Sequence, residues 1–182
     1  MKKGLFILLL LAVSCANPKE DYKAQIQNYQ YELNTYYGDV ETSPLTTEDL
    51  INFKSLPFFE INETYKVTAN FERTPDAPVF EMRTTTDRLA KYRKYGVATF
   101  NLNGKKHKLS LYQNQDYMDS EEYGHLLFLP FTDLTNGKES YSGGRFLDIE
   151  IPNENASEVI IDFNNAYNPY CAYNKKYSCP IP

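Results

Sequence analysis

The sequence predicts a mainly β protein, an antiparallel β-sandwich or partly closed barrel with one or two N-terminal helices. Three observations carry this reading. From Tyr65 to Phe163 apolar residues recur with a period of two, in short runs bounded by turn formers. Asn103-Gly104 stands between two such runs, the strongest short signal for a hairpin. Before Tyr65 the apolar spacing is three to four, which is helical. Helices first and strands afterwards give packed β-layers with helical decoration, not a parallel sheet. At 182 residues, with no linker long enough to divide it, the chain is read as a single domain over residues 19–182.

Each element has its own justification. Asn17-Pro18-Lys19-Glu20 has the form of a helix start, and Tyr22, Ile26, Tyr29, Leu33 and Tyr36 lay one stripe along the helix that Gly38 ends. Thr46 to Asp49 opens a second, shorter helix to about Lys54, with Leu50 and Phe53 on one side. Leu56 to Phe59 is an apolar knot. Tyr65, Val67, Ala69 and Phe71 alternate as a half-buried strand; Pro75 and Pro78 make a turn, and Phe80, Met82 and Thr84 continue on an antiparallel neighbour. Thr84 to Arg88 and the basic Lys91 to Tyr95 read as a solvated connection. The type I′ turn at Asn103-Gly104 pairs Leu102 with Lys105, Phe100 with His107 and Ala98 with Leu109, placing His107 at the rim of the apolar face. Asp116 to Glu122 is a loop. His125 to Phe131 is a strand buried on both faces until Pro130 interrupts it. Arg145, Leu147 and Ile149 face inward on the next strand, and Val159, Ile161 and Phe163 on the last.

The first residues are not part of this domain. Met1-Lys2-Lys3 followed by the apolar run Leu5 to Val13 has the form of a signal peptide over residues 1–14, too short to span a bilayer as a lasting helix. Ala12-Val13-Ser14-Cys15 resembles a bacterial lipobox. That implies lipidation of Cys15, a lipidated N-terminus over residues 15–18, and a firm anchor at the outer membrane, periplasmic or surface-exposed. Lys19-Glu20-Asp21 resembles the surface-export signal of Bacteroidota lipoproteins.

A net charge of −5 excludes a nucleic-acid partner held by phosphate contacts, since an acidic chain offers no counterion release. Sixteen Tyr and eleven Phe without a Trp suit both half-buried strands and ligand grooves. Cys171 and Cys179, eight residues apart in an envelope protein, are read first as a disulfide and next as two free thiols in a shared pocket. Zinc would need two further ligands, with His107 and His125 the only histidines, and no metal or cofactor is expected.

The residues that build shaped sites concentrate near the C-terminus. Arg145 begins an inward-facing parity, and a guanidinium cannot be buried unpaired. Either it pairs with Asp133 or Glu139 and fixes the Gly143-Gly144 turn, or it cradles a ligand anion there, with the glycines admitting the ligand to the backbone. Asn164 to Tyr173 is a loop whose asparagines satisfy its own backbone or whose tyrosines bind.

The runs Leu127 to Asp133, Thr135-Asn136-Gly137, Gly143 to Asp148, and Asp162-Phe163-Asn164 through Tyr167-Asn168-Pro169-Tyr170-Cys171-Ala172-Tyr173 to Cys179-Pro180 resemble the bacterial domain-of-unknown-function family 1684. Pro44-Leu45, Tyr65 to Phe71, Met82 to Arg88 and Tyr92 to Gly96 fit the same family, so the likeness covers roughly residues 19–182. The resemblance implies no activity. Ser142 stands where a glycine is expected, and the chain stops at Pro182 before a further strand-like segment, which would leave a sheet edge open.

The function expected is therefore a lipid-anchored ligand-binding or interaction module of the cell envelope, more a binder than an enzyme and with no catalytic residue assigned. Tyr141, Gly143, Gly144, Arg145, Tyr167, Asn168 and Tyr173 are its candidate site residues, and a glycan, a peptide, a small anion or a neighbouring envelope protein its partner. The alternative is a hydrolase or thiol enzyme near Arg145 and Cys171. It would use Cys171 with His107 or His125, or the carboxylates of Glu139 and Asp148.

Overall fold

The computed structural model describes residues 18–181; the leader, Cys15 and the Asn17 cap lie outside the described residues. Helices α1 (Pro18–Gly38) and α2 (Thr47–Asn52) precede β1 (Lys66–Arg73), β2 (Val79–Arg83), β3 (Leu89–Leu102), β4 (Lys105–Asn114), β5 (Leu126–Phe131), β6 (Arg145–Glu150) and β7 (Glu158–Asp162). All pair antiparallel in one sheet, in the order β6-β5-β4-β3-β1-β7, with β2 also on β3. The sheet curls into a half-barrel. Just past β7, Tyr167 bridges Phe146 of β6, so the two ends of the sheet meet at one point. Of the two expected layouts, the partly closed barrel is the one that forms.

The hairpin register is as expected: Leu102 faces Lys105, Phe100 faces His107 and Ala98 faces Leu109. Asn103 and Gly104, at φ 51° and 73°, supply the two left-handed residues that a type I′ turn requires.

Two expectations about residues 74–95 need correction. Pro75 and Pro78 do not reverse the chain. β1 pairs with Gly96–Thr99 and β2 with Leu89–Arg93 on the same edge of β3, so β2 continues β1 in direction after a detour. Nor is Lys91 to Tyr95 a solvated connection. The reversal falls at 84–88, where buried Thr84 donates its hydroxyl to the Arg88 carbonyl at 2.6 Å, and Leu89 onward is the first half of a strand. That half buries only Ala90 and Tyr92, in a cluster with Met82, Tyr112 and Phe128 on the convex face.

A bulge between Lys94 and Gly96 then inverts the parity of β3. Beyond it Ala98 and Phe100 face the concave core with Phe71, Leu111, Leu127, Leu129, Leu147, Ile149 and Ile161. Gly96 is required there. A Cβ at this position would lie 2.4 Å from the Phe71 ring and 2.8 Å from the Glu72 carbonyl.

Helix α1 buries Tyr22, Ile26 and Tyr37, while Tyr36 is exposed, so the stripe ends one residue later than the spacing suggested. Tyr37, 1% exposed, packs edge-on against Tyr173 and Tyr170 beside Leu45 and Leu56. Thr46 caps α2 by accepting from the Asp49 amide, and Leu50 and Phe53 join the same cluster. At the far end the tail meets the end of β2: Thr84 bridges Pro180, and the Ile181 amide donates to the Arg83 carbonyl.

Candidate functional site

The geometry starts from one cross-strand pair. Phe131 ends β5, Arg145 begins β6, and the two are ladder partners whose side chains lie on the concave face, as the inward parity of Arg145 required. Between them the loop 132–144 folds on its own side chains. Asn136 accepts from the Asp133 amide and donates to Ser140 Oγ and the Tyr141 carbonyl, while Asp133 Oδ1 accepts from the Thr135 amide. This holds the second carboxylate oxygen for Arg145, whose Nη2 donates to Asp133 Oδ2 at 2.6 Å. The arginine side chain is 12% exposed and the aspartate 34%. Burial pushes the Asp133 carboxyl up, but the Thr135 hydroxyl and amide and the guanidinium outweigh it and hold the group below the usual carboxylate range.

The guanidinium also lies between two aromatic faces, 4.8 Å from the Phe59 ring centroid and 5.2 Å from that of Phe131. Phe59 comes from a strap, residues 56–62, that is pinned at both ends. Asn34 of α1 accepts from the Leu56 amide, and Asn164 both accepts from the Asn62 amide and donates to the Asn62 carbonyl. The strap therefore crosses the mouth of the half-barrel at a fixed height. Beneath it is a cavity of about 890 Å³, walled by Phe58, Phe59, Phe100, Leu109, Phe131 and Phe163, with Arg145 and Asp133 at one side and Lys105 and His107 at the rim. His107 stacks on Phe100, centroids 5.5 Å apart.

The predicted site residues divide into two groups. Arg145, Tyr167, Asn168 and Tyr173 line the cavity; Tyr141, Gly143 and Gly144 do not. Gly144 serves the chain rather than a ligand, since it holds φ 102° and a Cβ would sit 2.7 Å from the Phe131 carbonyl oxygen. Gly143 likewise gives room to the Tyr141 ring, 2.5 Å from where its Cβ would be. Among the lining residues, two have their polar groups already committed. Tyr167 donates to Asp148 on the convex face, and Asn168 accepts from the Tyr141 amide and donates to Tyr173 Oη. Desolvation pushes the Asp148 carboxyl up, against the opposing effect of that tyrosine hydroxyl.

The predicted disulfide is not formed. Cys171 and Cys179 are both free thiols, and the Cys171 amide donates to Cys179 Sγ at 3.1 Å. The sulfur is thus occupied as an acceptor by the backbone of a short 3-10 turn, Tyr170–Ala172, and burial pushes its thiol up to about 12. Two of the pairings considered for an enzyme, Cys171 with His107 and Glu139 with Asp148, are not brought together. Cys171 lies beside Tyr141, 4.0 Å from its hydroxyl, while His107 is on Phe100 in a cavity that Cys171 does not line. Glu139 lines that cavity, whereas Asp148 sits on the opposite face of β6.

Sequence reasoning found Arg145 and its partner Asp133 but not the cavity. Phe59 and Lys105 are not singled out by the sequence, and His107 only as a partner for Cys171 or a metal, because a strap and a hairpin tip converge only in three dimensions. The one local signal was the apolar knot of Leu56 to Phe59, which has too many large side chains for a connection between a helix and a strand.

A family model described as "Protein of unknown function (DUF1684)" matches residues 51–182. The solution NMR structure of an uncharacterized protein of Haloarcula marismortui is similar at 30% identity, covering 91% of this chain and 88% of that one, with a TM-score of 0.69. No curated protein matches the chain.

Proposed function

The chain belongs to the DUF1684 family, whose description names no activity, and we propose from its barrel mouth that it is a small-molecule-binding module of the cell envelope. The observation that carries the reading is the cavity itself. Its volume of about 890 Å³ suits a small organic ligand, its walls are aromatic, and a charged pair fixes one side, the composition that binding sites favour. Maintaining such a space is costly, because a packed half-barrel would gain by closing it. The strap, pinned at both ends, keeps it open.

The envelope location is supported by the basic and apolar leader and by Ala12-Val13-Ser14-Cys15. An acylated Cys15 would stand three residues before Pro18, the start of α1, and so hold the domain within about 10 Å of the lipid headgroups. A membrane partner through the anchor and a small ligand in the mouth form one proposal: a surface-tethered carrier or sensor.

A thermal-shift screen of the purified protein against envelope glycans, muropeptides, small acids and apolar acyl and aromatic compounds tests it. At least one class should raise the Tm, and Leu109→Trp, which fills the cavity, should cancel that rise. A flat result over the whole panel would sink the ligand reading and favour a protein partner.

A further inference from the structure

The charges around the mouth bear on what a ligand must carry. Arg145 and Lys105 line the cavity against Glu60, Asp133 and Glu139, so acids outnumber strong bases. The guanidinium is already neutralised by Asp133 at 2.6 Å. A second carboxylate would share one cation with the first in a poorly hydrated site, where like charges at close range are costly.

Hydrogen-bonding capacity is what the arginine has left over. One of its two Nη2 N–H groups is taken by Asp133, its Nε is buried without an acceptor, and its Nη1 has none among the described residues. Arg73 and Arg93 also have a partnerless Nε, but neither lines the cavity. Nε is sealed from solvent and Nη2 is already engaged by Asp133, which leaves Nη1, with both its N–H groups unmet, as the donor for an occupant. A cationic donor flanked by Phe59 and Phe131, with its charge balanced and its N–H groups unmet, asks for an uncharged acceptor on an apolar body.

We propose that the mouth takes an uncharged apolar carbonyl compound, an ester, amide or ketone, whose oxygen accepts from Arg145 Nη1 while its hydrocarbon or aromatic body fills the phenylalanine-lined space. This rests on the small-molecule reading above and deepens it. Asp133 is then the specificity element, because its charge turns the site away from free acids.

The test uses three matched probes, methyl 2-naphthoate, 2-naphthoate and 2-ethylnaphthalene. Their fluorescence is readable in a chain without tryptophan. The ester should bind about tenfold or more tighter than the acid and the hydrocarbon. Asp133→Asn, which keeps the shape and the Thr135 contacts but frees the cation, should shift the acid-to-ester preference at least tenfold toward the acid. Should that variant fail to fold, the native protein still decides: the acid should stay weaker than the ester at low as well as high salt, and an acid that matches or exceeds the ester at low salt overturns the inference. If the acid binds tightest to the native protein, the carbonyl inference falls and the binding reading stands. If all three bind equally and Arg145→Met changes nothing, the arginine contact falls and the cavity reading again survives. If none binds, the carbonyl inference falls, and the wider thermal-shift panel alone decides the binding reading.

Discussion

Asp133 couples a surface loop to a buried cation, and its depressed pKa gives a pH signature. A carboxyl held below its unfolded value of about 3.9 contributes stability that is complete above that pH and lost as pH falls through the folded value. Asp133→Asn should therefore cost about 1 kcal/mol at neutral pH, discounted for its partial exposure, and nothing once the native carboxyl is protonated. Tm against pH for the two proteins should converge on the acid side. Gly144→Ala combines a left-handed φ with a 2.7 Å approach to the Phe131 carbonyl and should cost about 3 kcal/mol in urea unfolding. Gly104→Ala, with open space around it, should cost about 1 kcal/mol. Cys179, buried and donated to by the Cys171 amide, should resist alkylation in the native protein at pH 8, and both thiols should label in denaturant without reductant. Arg145 was legible because a charge on an inward parity needs a partner. The free thiols were not, since two cysteines eight residues apart look alike whether bonded or merely adjacent.

The elements that declared themselves were those whose turn chemistry and alternation agree. Asn103-Gly104 set the register of β3 on β4 to the residue. The first half of β3 was lost to the same logic, because Lys91, Arg93 and Lys94 put three cations into a stretch whose buried members are only Ala90 and Tyr92. A bulge compounds this by making the even residues convex before it and concave after it, so no single period spans the strand. Gly96 allows the inversion to pack. Gly96→Ala should displace the Phe71 ring and cost about 3 kcal/mol, seen as a lower urea midpoint with an unchanged m-value.

At the scale of the molecule, α1 is a brace laid over the seam where the two ends of the sheet meet. Tyr22 Oη donates to Asp162 and accepts from Asn164, and Tyr29 donates to the Asn165 carbonyl, all at or just beyond the end of β7. Tyr22→Phe should release the first of these contacts, costing about 1.5 kcal/mol, and should speed amide exchange in α1 while β3 and β4 keep their protection. The fold class could be read because helices, alternating strands and turn formers follow one another in order. The cavity could not, since it is bounded by a strap, a hairpin tip, a loop and a helix that share no local pattern. The detour at residues 74–78 has a practical use. The chain leaves β3 there and rejoins the same edge in the same direction, with Pro75 and Asp76 exposed and none of the five residues lining the mouth. A fluorophore or affinity handle spliced in after Asp76 would report on the domain, or immobilise it, without reaching the ligand.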